Sequence, residues 1–138
     1  MKMKKITITL IFLSVFACLK AQDKGNKAPQ IAFTETAFAF DTLMQNAPCE
    51  HLFSFTNTGD APLVVSSAFS SCGCVVPEWP KEPVMPGKKG SIKVVYNTSK
   101  AGNFNKAIVV KSNAADSPKT VLRITGVVKE EKAETTDR

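Results

Sequence analysis

Cys72 and Cys74, separated only by Gly73, are the residues of this 138-residue chain best suited to chemistry. On an extended backbone, side chains two residues apart project from the same face, so both sulfurs would point the same way. Such a pair can bind a metal ion, act as a redox pair or form a structural disulfide. Their Cα atoms would lie roughly 6.5–7 Å apart in a fully extended strand, at the upper limit for a disulfide. Gly73 permits a bend, but a bond across one residue would be strained, and strained disulfides are readily reduced.

Cys49 is a third thiol that these two cysteines could reach. If the strands that begin near His51 and Pro62 are consecutive and antiparallel, the start of the first lies beside the end of the second. Cys49 and Cys72 would then share one end of the fold. We predict that any disulfide joins Cys49 to Cys72 or Cys74, with Cys72 slightly favoured.

The alternative chemistry is metal binding, with Cys72 and Cys74 as ligands and Cu(I) as the ion, because soft thiolates select it. Cys49 and His51 could complete a Cys/His cluster at the same end. Since His51 shares one strand face with aromatic residues, however, a structural role is expected for it.

The residues do not favour an enzyme. A thiol oxidoreductase would carry a Cys-x-x-Cys pair in a thioredoxin-like fold, and the spacing here is Cys-x-Cys. A hydrolase would need a partner for the single histidine, and the sequence has no Gly-x-Ser-x-Gly motif. We therefore predict no catalytic residue and no cofactor.

Trp79, the only tryptophan, lies among the prolines that follow the cysteine pair. It either caps the end of the fold or forms an exposed contact residue, since tryptophan is enriched in binding hot spots. The prolines predict irregular structure from 77 to 86, and Pro86-Gly87 predicts a turn.

The elements that must position these residues are strands. No window shows a sustained helical period, whereas short alternating segments are separated by turn residues. We predict seven strands, near residues 31–35, 37–42, 51–57, 62–68, 90–96, 107–111 and 121–128. The aromatic residues predicted to face the core are Phe33, Phe38, Phe40, Phe53 and Phe55. This pattern is typical of an immunoglobulin-like β-sandwich, here over residues 31–129.

The N-terminus predicts export. Three lysines precede an uncharged, mainly apolar segment at 6–17, and Ala21 offers a cleavage site, so residues 1–21 are expected to form a signal peptide. Two alternatives are an uncleaved anchor and lipidation at Cys18, which would tether the protein to a membrane. Residues 22–30 predict a flexible lead-in and residues 130–138 a disordered charged tail. The protein would reside in the periplasm, at the cell surface or outside the cell.

The net charge of +6 overstates the basic character of the domain, because residues 1–21 contribute four of the 18 basic residues and no acidic one. The remaining 14 basic and 12 acidic residues leave +2. This balance argues against a nucleic-acid partner.

Several short motifs resemble the bacterial family known as domain of unknown function 1573. They are Phe53-Ser54-Phe55, Asn57-Thr58-Gly59-Asp60, Cys72-Gly73-Cys74, Pro86-Gly87 and Phe104-Asn105-Lys106. The resemblance spans residues 31–128, and Cys49 lies outside its motifs. It implies an exported immunoglobulin-like domain similar to pilus-chaperone and major-sperm-protein sandwiches, and it assigns no biochemical function. We therefore expect a non-enzymatic binding module that contacts another exported protein through an edge strand or end loops.

Overall fold

A computed structural model describes residues 27–132 of the chain, which contain eight β-strands and no helix. The strands are β1 (Ile31–Phe33), β2 (Ala37–Met44), β3 (Glu50–Asn57), β4 (Val65–Ser70), β5 (Val75–Glu78), β6 (Lys89–Tyr96), β7 (Gly102–Ser112) and β8 (Lys119–Lys129). The predicted all-β class is confirmed, with eight strands in place of seven. Within the described residues no helix is long and apolar enough to cross a membrane.

The strands form two four-stranded sheets that pack face to face. The first sheet has the order β1-β3-β6-β5 and the second has the order β2-β8-β7-β4. β2 runs parallel to β8, and every other pairing is antiparallel. This arrangement is the predicted immunoglobulin-like β-sandwich.

The core lies between the sheets and is built from alternate residues of each strand. Phe53 and Phe55 are both completely buried, which confirms their predicted inward orientation. Gly90 faces Phe55 on the neighbouring strand, and a Cβ atom added at Gly90 would overlap the phenyl ring. The other predicted core aromatics, Phe33, Phe38 and Phe40, are half-buried and pack against the edge of this core.

Strand β5 contradicts the expectation that residues 77–86 lack regular structure, because Pro77 lies within it. β5 is an edge strand whose only neighbour is β6. A proline is tolerated there when its missing N–H faces away from the ladder.

Two strand boundaries also differ from the prediction. β4 begins at Val65, since residues 62–64 bond elsewhere: Asn113 accepts a hydrogen bond from the Val64 amide and donates one to Pro62. β7 begins at Gly102 and is longer than the strand predicted at 107–111, because its pairing with β8 continues to the Gly102 and Val128 positions.

The predicted signal peptide, the lipidation site at Cys18 and most of the C-terminal tail lie outside the described residues. The last residues of the predicted lead-in contact the sandwich. The carbonyls of Ala28, Pro29 and Gln30 accept backbone hydrogen bonds from Asp60, Ala115 and Thr58 at 2.9–3.1 Å.

Candidate functional site

Cys72 and Cys74 form a disulfide with each other, across a Cα–Cα distance of 5.4 Å. The predicted preference for a Cys49 bond is therefore wrong. The backbone is bent between the two cysteines, which brings their Cα atoms closer than an extended strand would. Gly73 does not have a positive φ, and a Cβ atom there would meet nothing within 4 Å, so the bend does not depend on glycine.

The predicted shared end of the sandwich is nevertheless observed, because the carbonyls of Cys49 and Cys74 accept hydrogen bonds from the adjacent amides of Tyr96 and Asn97. β3 and β4 are consecutive in the chain, but β3 pairs with β1 and β6 while β4 pairs with β7. The start of β3 is therefore not hydrogen-bonded beside the end of β4. Cys49 sits next to β6, where its carbonyl accepts a hydrogen bond from the Tyr96 amide at 2.9 Å.

Cys49 is a free thiol with only 4% of its surface exposed. Burial raises the pKa of the Cys49 thiol, although a backbone hydrogen bond involving Tyr96 opposes the increase. Since the thiolate is the reactive form, Cys49 is expected to behave as a small core residue.

The disulfide lies in the connection from β4 to β5, where the chain passes from the second sheet to the first. Both cysteines are half-buried, and they line an open cavity of about 400 Å³. The other residues that line this cavity are Gly73, Tyr96, Asn97, Ser99, Lys100 and Lys106. Two of these side chains are cationic and none is a carboxylate.

The predicted Cys/His metal cluster does not assemble. Among residues 27–132, no group of three or more Cys, His, Asp or Glu side chains is placed to hold a metal ion. The His51 ring stacks on Phe38 with 3.6 Å between ring centroids, and its Nε2 lies 2.7 Å from Glu35 Oε1. Cu(I) binding by Cys72 and Cys74 stays a prediction for the reduced pair, because a disulfide offers no thiolate.

Trp79 follows β5 and packs against the core as a half-buried side chain. The Lys81 ammonium lies 3.3 Å from the centroid of its ring. A cation over an indole face is a favourable contact, so part of the ring surface is already occupied. Whether Trp79 acts as a cap or as a contact residue stays a prediction.

A second candidate site is the open edge of β4. Two backbone hydrogen bonds show in which direction residues of β7 bond. The Asn113 N–H donates to Val64 on the β4 side, and the Ser112 N–H donates to Pro118 on the β8 side. Bonding directions alternate along β7, so Lys111 and Val109 also bond toward β4. Their partners Ser67 and Phe69 therefore bond β7. Ala68 and Ser70 therefore direct their N–H and C=O groups away from β7; Ala68 is only 5% exposed, whereas Ser70 is half-buried.

The edge of β4 lacks the features that usually protect such edges. Its sequence, Val-Ser-Ser-Ala-Phe-Ser, has no proline and no charge, and its irregularity is confined to the start of the strand.

The other three edges are protected. In β5 the outward positions are Val75, whose amide donates to Cys72, and Pro77, which has no amide hydrogen. β1 is three residues long and its Ile31 amide donates to the Asp116 carboxylate. β2 has a mid-strand irregularity beside the charged Asp41.

An apolar row crosses the outer face of the second sheet from this open edge. Phe69 pairs with Val109, and Val109 pairs with Val121 on the next strand. Phe69 and Val121 are 47% and 45% exposed. The Lys111 ammonium lies 5.5 Å from the centroid of the Phe69 ring. Sequence periodicity does not reveal this row, because its members come from three strands whose register the chain does not display.

The structural neighbours show the fold. A protein of unknown function from Porphyromonas gingivalis W83 aligns with a TM-score of 0.64 and 12% identity over 72% of this chain and 46% of that one. The PapD-like (ASH) domain 7 of human CEP192 aligns with a TM-score of 0.59 and 9% identity, covering 77% and 89% of the two chains. The YadV chaperone aligns at 0.55 and 14%, covering 75% and 54%. This chain thus has a PapD-like, immunoglobulin-like fold.

The family is more specific than the fold. The profile described as "protein of unknown function (DUF1573)" matches residues 31–128, so the chain belongs to that family. No curated protein matches the chain. The chain spans about half the length of the Porphyromonas protein and of the chaperone. These comparisons confirm the predicted family and fold.

Proposed function

We propose that this chain is an exported, non-enzymatic binding module that pairs an extended segment of another exported protein with the open edge of β4. The observation that carries this proposal is that β4 has one hydrogen-bonded neighbour, β7, and that its sequence contains neither proline nor charge. A strand added there would continue the second sheet and gain affinity from main-chain hydrogen bonds.

The outer face supplies a source of specificity. A partner strand on this edge would place one side chain directly beside Phe69, in line with Val109 and Val121. Neighbouring side chains on one sheet face stabilise each other when they are aromatic or β-branched. We therefore expect the bound segment to carry an aromatic or β-branched residue at that position.

The charge near this row restricts which side chains the partner segment can carry. Lys111 lies beside Phe69 on the outer face, so a basic residue at the neighbouring position of the partner would be repelled. The expected ligand is a short extended segment that is apolar opposite Phe69 and uncharged or acidic around it.

Site-specific photocrosslinking tests the proposal. A benzophenone amino acid replaces Phe69 in the producing cell, and mass spectrometry identifies the segment to which it attaches. The control position is Leu52, which is 56% exposed on the outer face of the other sheet. We expect an adduct to one defined segment from position 69 only. Equal crosslinking from both positions would contradict the proposal.

A synthetic peptide of the crosslinked segment then tests the role of the β4 backbone. Ser70→Pro removes an outward N–H group at a half-buried position of β4 and should weaken binding about tenfold, as expected for the loss of one net hydrogen bond. Ala39→Pro is the matched control, because Ala39 also faces outward on the opposite edge of the same sheet. In the unmodified protein, peptide binding should slow hydrogen exchange at the half-buried Ser70. Unchanged exchange at this amide would show that the segment binds elsewhere.

A further inference from the structure

The disulfide between Cys72 and Cys74 does little to hold the fold together. Its two cysteines are only two positions apart, so the bond links neither two strands nor the two sheets. A disulfide stabilises mainly by closing a long loop in the unfolded chain, and this one closes a loop with a single residue, Gly73, between the two cysteines. We therefore expect the bond to have a role other than stabilising the fold.

We infer that Cys72–Cys74 is a redox-active disulfide, which exchanges with a vicinal dithiol such as the paired cysteines of another exported protein. This inference is independent of the proposed strand pairing at β4, because it concerns the reaction of the sulfurs and not the affinity of the edge.

Access to the sulfurs supports exchange. Both cysteines are half-buried and line an open cavity of about 400 Å³. The position beside Gly73 is also open, since a Cβ atom there would meet no neighbour within 4 Å. Exchange requires an incoming thiolate to approach one sulfur along the axis of the bond, and buried disulfides exclude that approach.

The charges around the cavity favour both steps of the exchange. Lys100 and Lys106 line it together with the disulfide, and no carboxylate is among the lining residues. Cationic side chains attract an incoming thiolate and lower the pKa of the thiol that leaves. A leaving thiol of lower pKa departs faster.

The reaction balances as a two-electron transfer. One thiolate of the dithiol attacks Cys72 or Cys74, an intermolecular S–S bond forms, and the original S–S bond breaks to release the other cysteine as a thiolate. The second thiolate of the dithiol then attacks the sulfur that the dithiol contributed to the mixed disulfide, and the second cysteine is released as a thiolate. The dithiol is oxidised to a disulfide, both cysteines are reduced, and each takes up a proton from water according to its pKa.

The test measures reduction of the full chain by two defined probes. The protein is equilibrated in glutathione buffers of graded composition, quenched with acid, alkylated and weighed. We expect more than half of the Cys72–Cys74 pair to be reduced in buffers that leave ordinary structural disulfides oxidised. A pair that stays oxidised across the series would overturn the inference.

Dithiothreitol kinetics test the role of the lysines. Lys100→Gln combined with Lys106→Gln should slow reduction about threefold or more, since without the two cations the pKa of the leaving thiol rises and the thiol departs more slowly. Lys119→Gln removes one charge at the opposite end of the second sheet, where it pairs with Lys111, and should leave the rate unchanged. Equal effects of the two sets of substitutions would contradict the proposed role of the cavity.

Circular dichroism at each redox composition separates a redox site from a structural bond. We expect the strand spectrum to persist after reduction and Cys49 to remain unmodified, because it is buried in the core. Loss of the folded spectrum on reduction, or labelling of Cys49 together with the pair, would show that the bond maintains the fold and would overturn the inference.

Discussion

At the scale of single residues, Asn57 holds one end of the sandwich together. Its side-chain amide donates to the carbonyls of Ala61 and Val84 at 2.8 and 2.9 Å, and its oxygen accepts from the amides of Gly59 and Gln30. Asn57 is completely buried. The turn at residues 57–60 was predictable from its residue types, but this role was not, because two of the partners are 27 positions away.

Replacing Asn57 should be far more costly than replacing a similar exposed residue. We expect Asn57→Ala to lower the free energy of unfolding by about 2–4 kcal/mol, because buried backbone groups lose their partners. The control is Asn113→Ala, which removes two comparable side-chain hydrogen bonds at an exposed position and should cost about 1 kcal/mol or less. Urea titration measures both variants, and similar losses would contradict the assigned role of Asn57.

Phe55 and Gly90 form a complementary pair in the core. Phe55→Ala should cost about 3–5 kcal/mol as a cavity-forming change in the core. Gly90→Ala should also destabilise, because the added Cβ would overlap the Phe55 ring. The loss in the double variant should be smaller than the sum of the two single losses by at least about 1 kcal/mol, since the smaller side chain at position 55 makes room for the new methyl group. Strict additivity in denaturant titrations would show that the two residues do not contact each other as described.

At the scale of elements, alternation predicted the strands whose inner and outer faces differ. β3 and β6 place Phe53, Phe55, Ile92 and Val94 inward, as their period-two pattern indicates. β5 escaped prediction because it is short and contains Pro77. A proline signals a break in most contexts, and only the pairing of β5 at the sheet edge makes this one acceptable.

The position of Pro77 predicts a protective role. Its nitrogen faces the open edge of β5, so Pro77→Ala would create an outward N–H group beside exposed carbonyls. Unprotected edges promote pairing between copies of a protein, and we expect this variant to self-associate more than the wild type. Sedimentation velocity over a concentration series measures the effect. Pro80→Ala, outside the strand, is the control, and equal behaviour of the two variants would refute the protective role.

At the scale of the whole molecule, the sheet assignment determines where the cysteines lie. The sequence indicated the family, the class of fold and most of the strands. It did not indicate which thiols bond, because alternation defines the faces of a strand and leaves its neighbours undetermined. Cys49 lies at the predicted end of the sandwich, but β6 lies between β3, which follows Cys49, and β5, which follows Cys74.

The disulfide should contribute little to global stability, because it closes a very short loop. Closing a three-residue loop is worth about 1.6 kcal/mol in the chain-entropy relation, compared with about 3 kcal/mol for a 15-residue loop. We expect a variant with Cys72→Ser and Cys74→Ser to lose no more than about that smaller amount in urea titration. A loss above about 3 kcal/mol would mean that the bond supports the fold through contacts beyond loop closure.

The mass of the protein purified from its producing cell tests the predicted processing and the thiol arrangement together. Cleavage after Ala21 would leave a chain that begins at Gln22 and contains three cysteines. Iodoacetamide should add no label to the native protein, because Cys49 is buried and the other two cysteines are bonded. It should add one label after denaturation without reductant and three after reduction, since only then are all the thiols free. A chain that begins at Cys18 and carries the added mass of a lipid would show that the signal is a lipoprotein signal. A label on the native, oxidised protein would instead contradict the burial of Cys49.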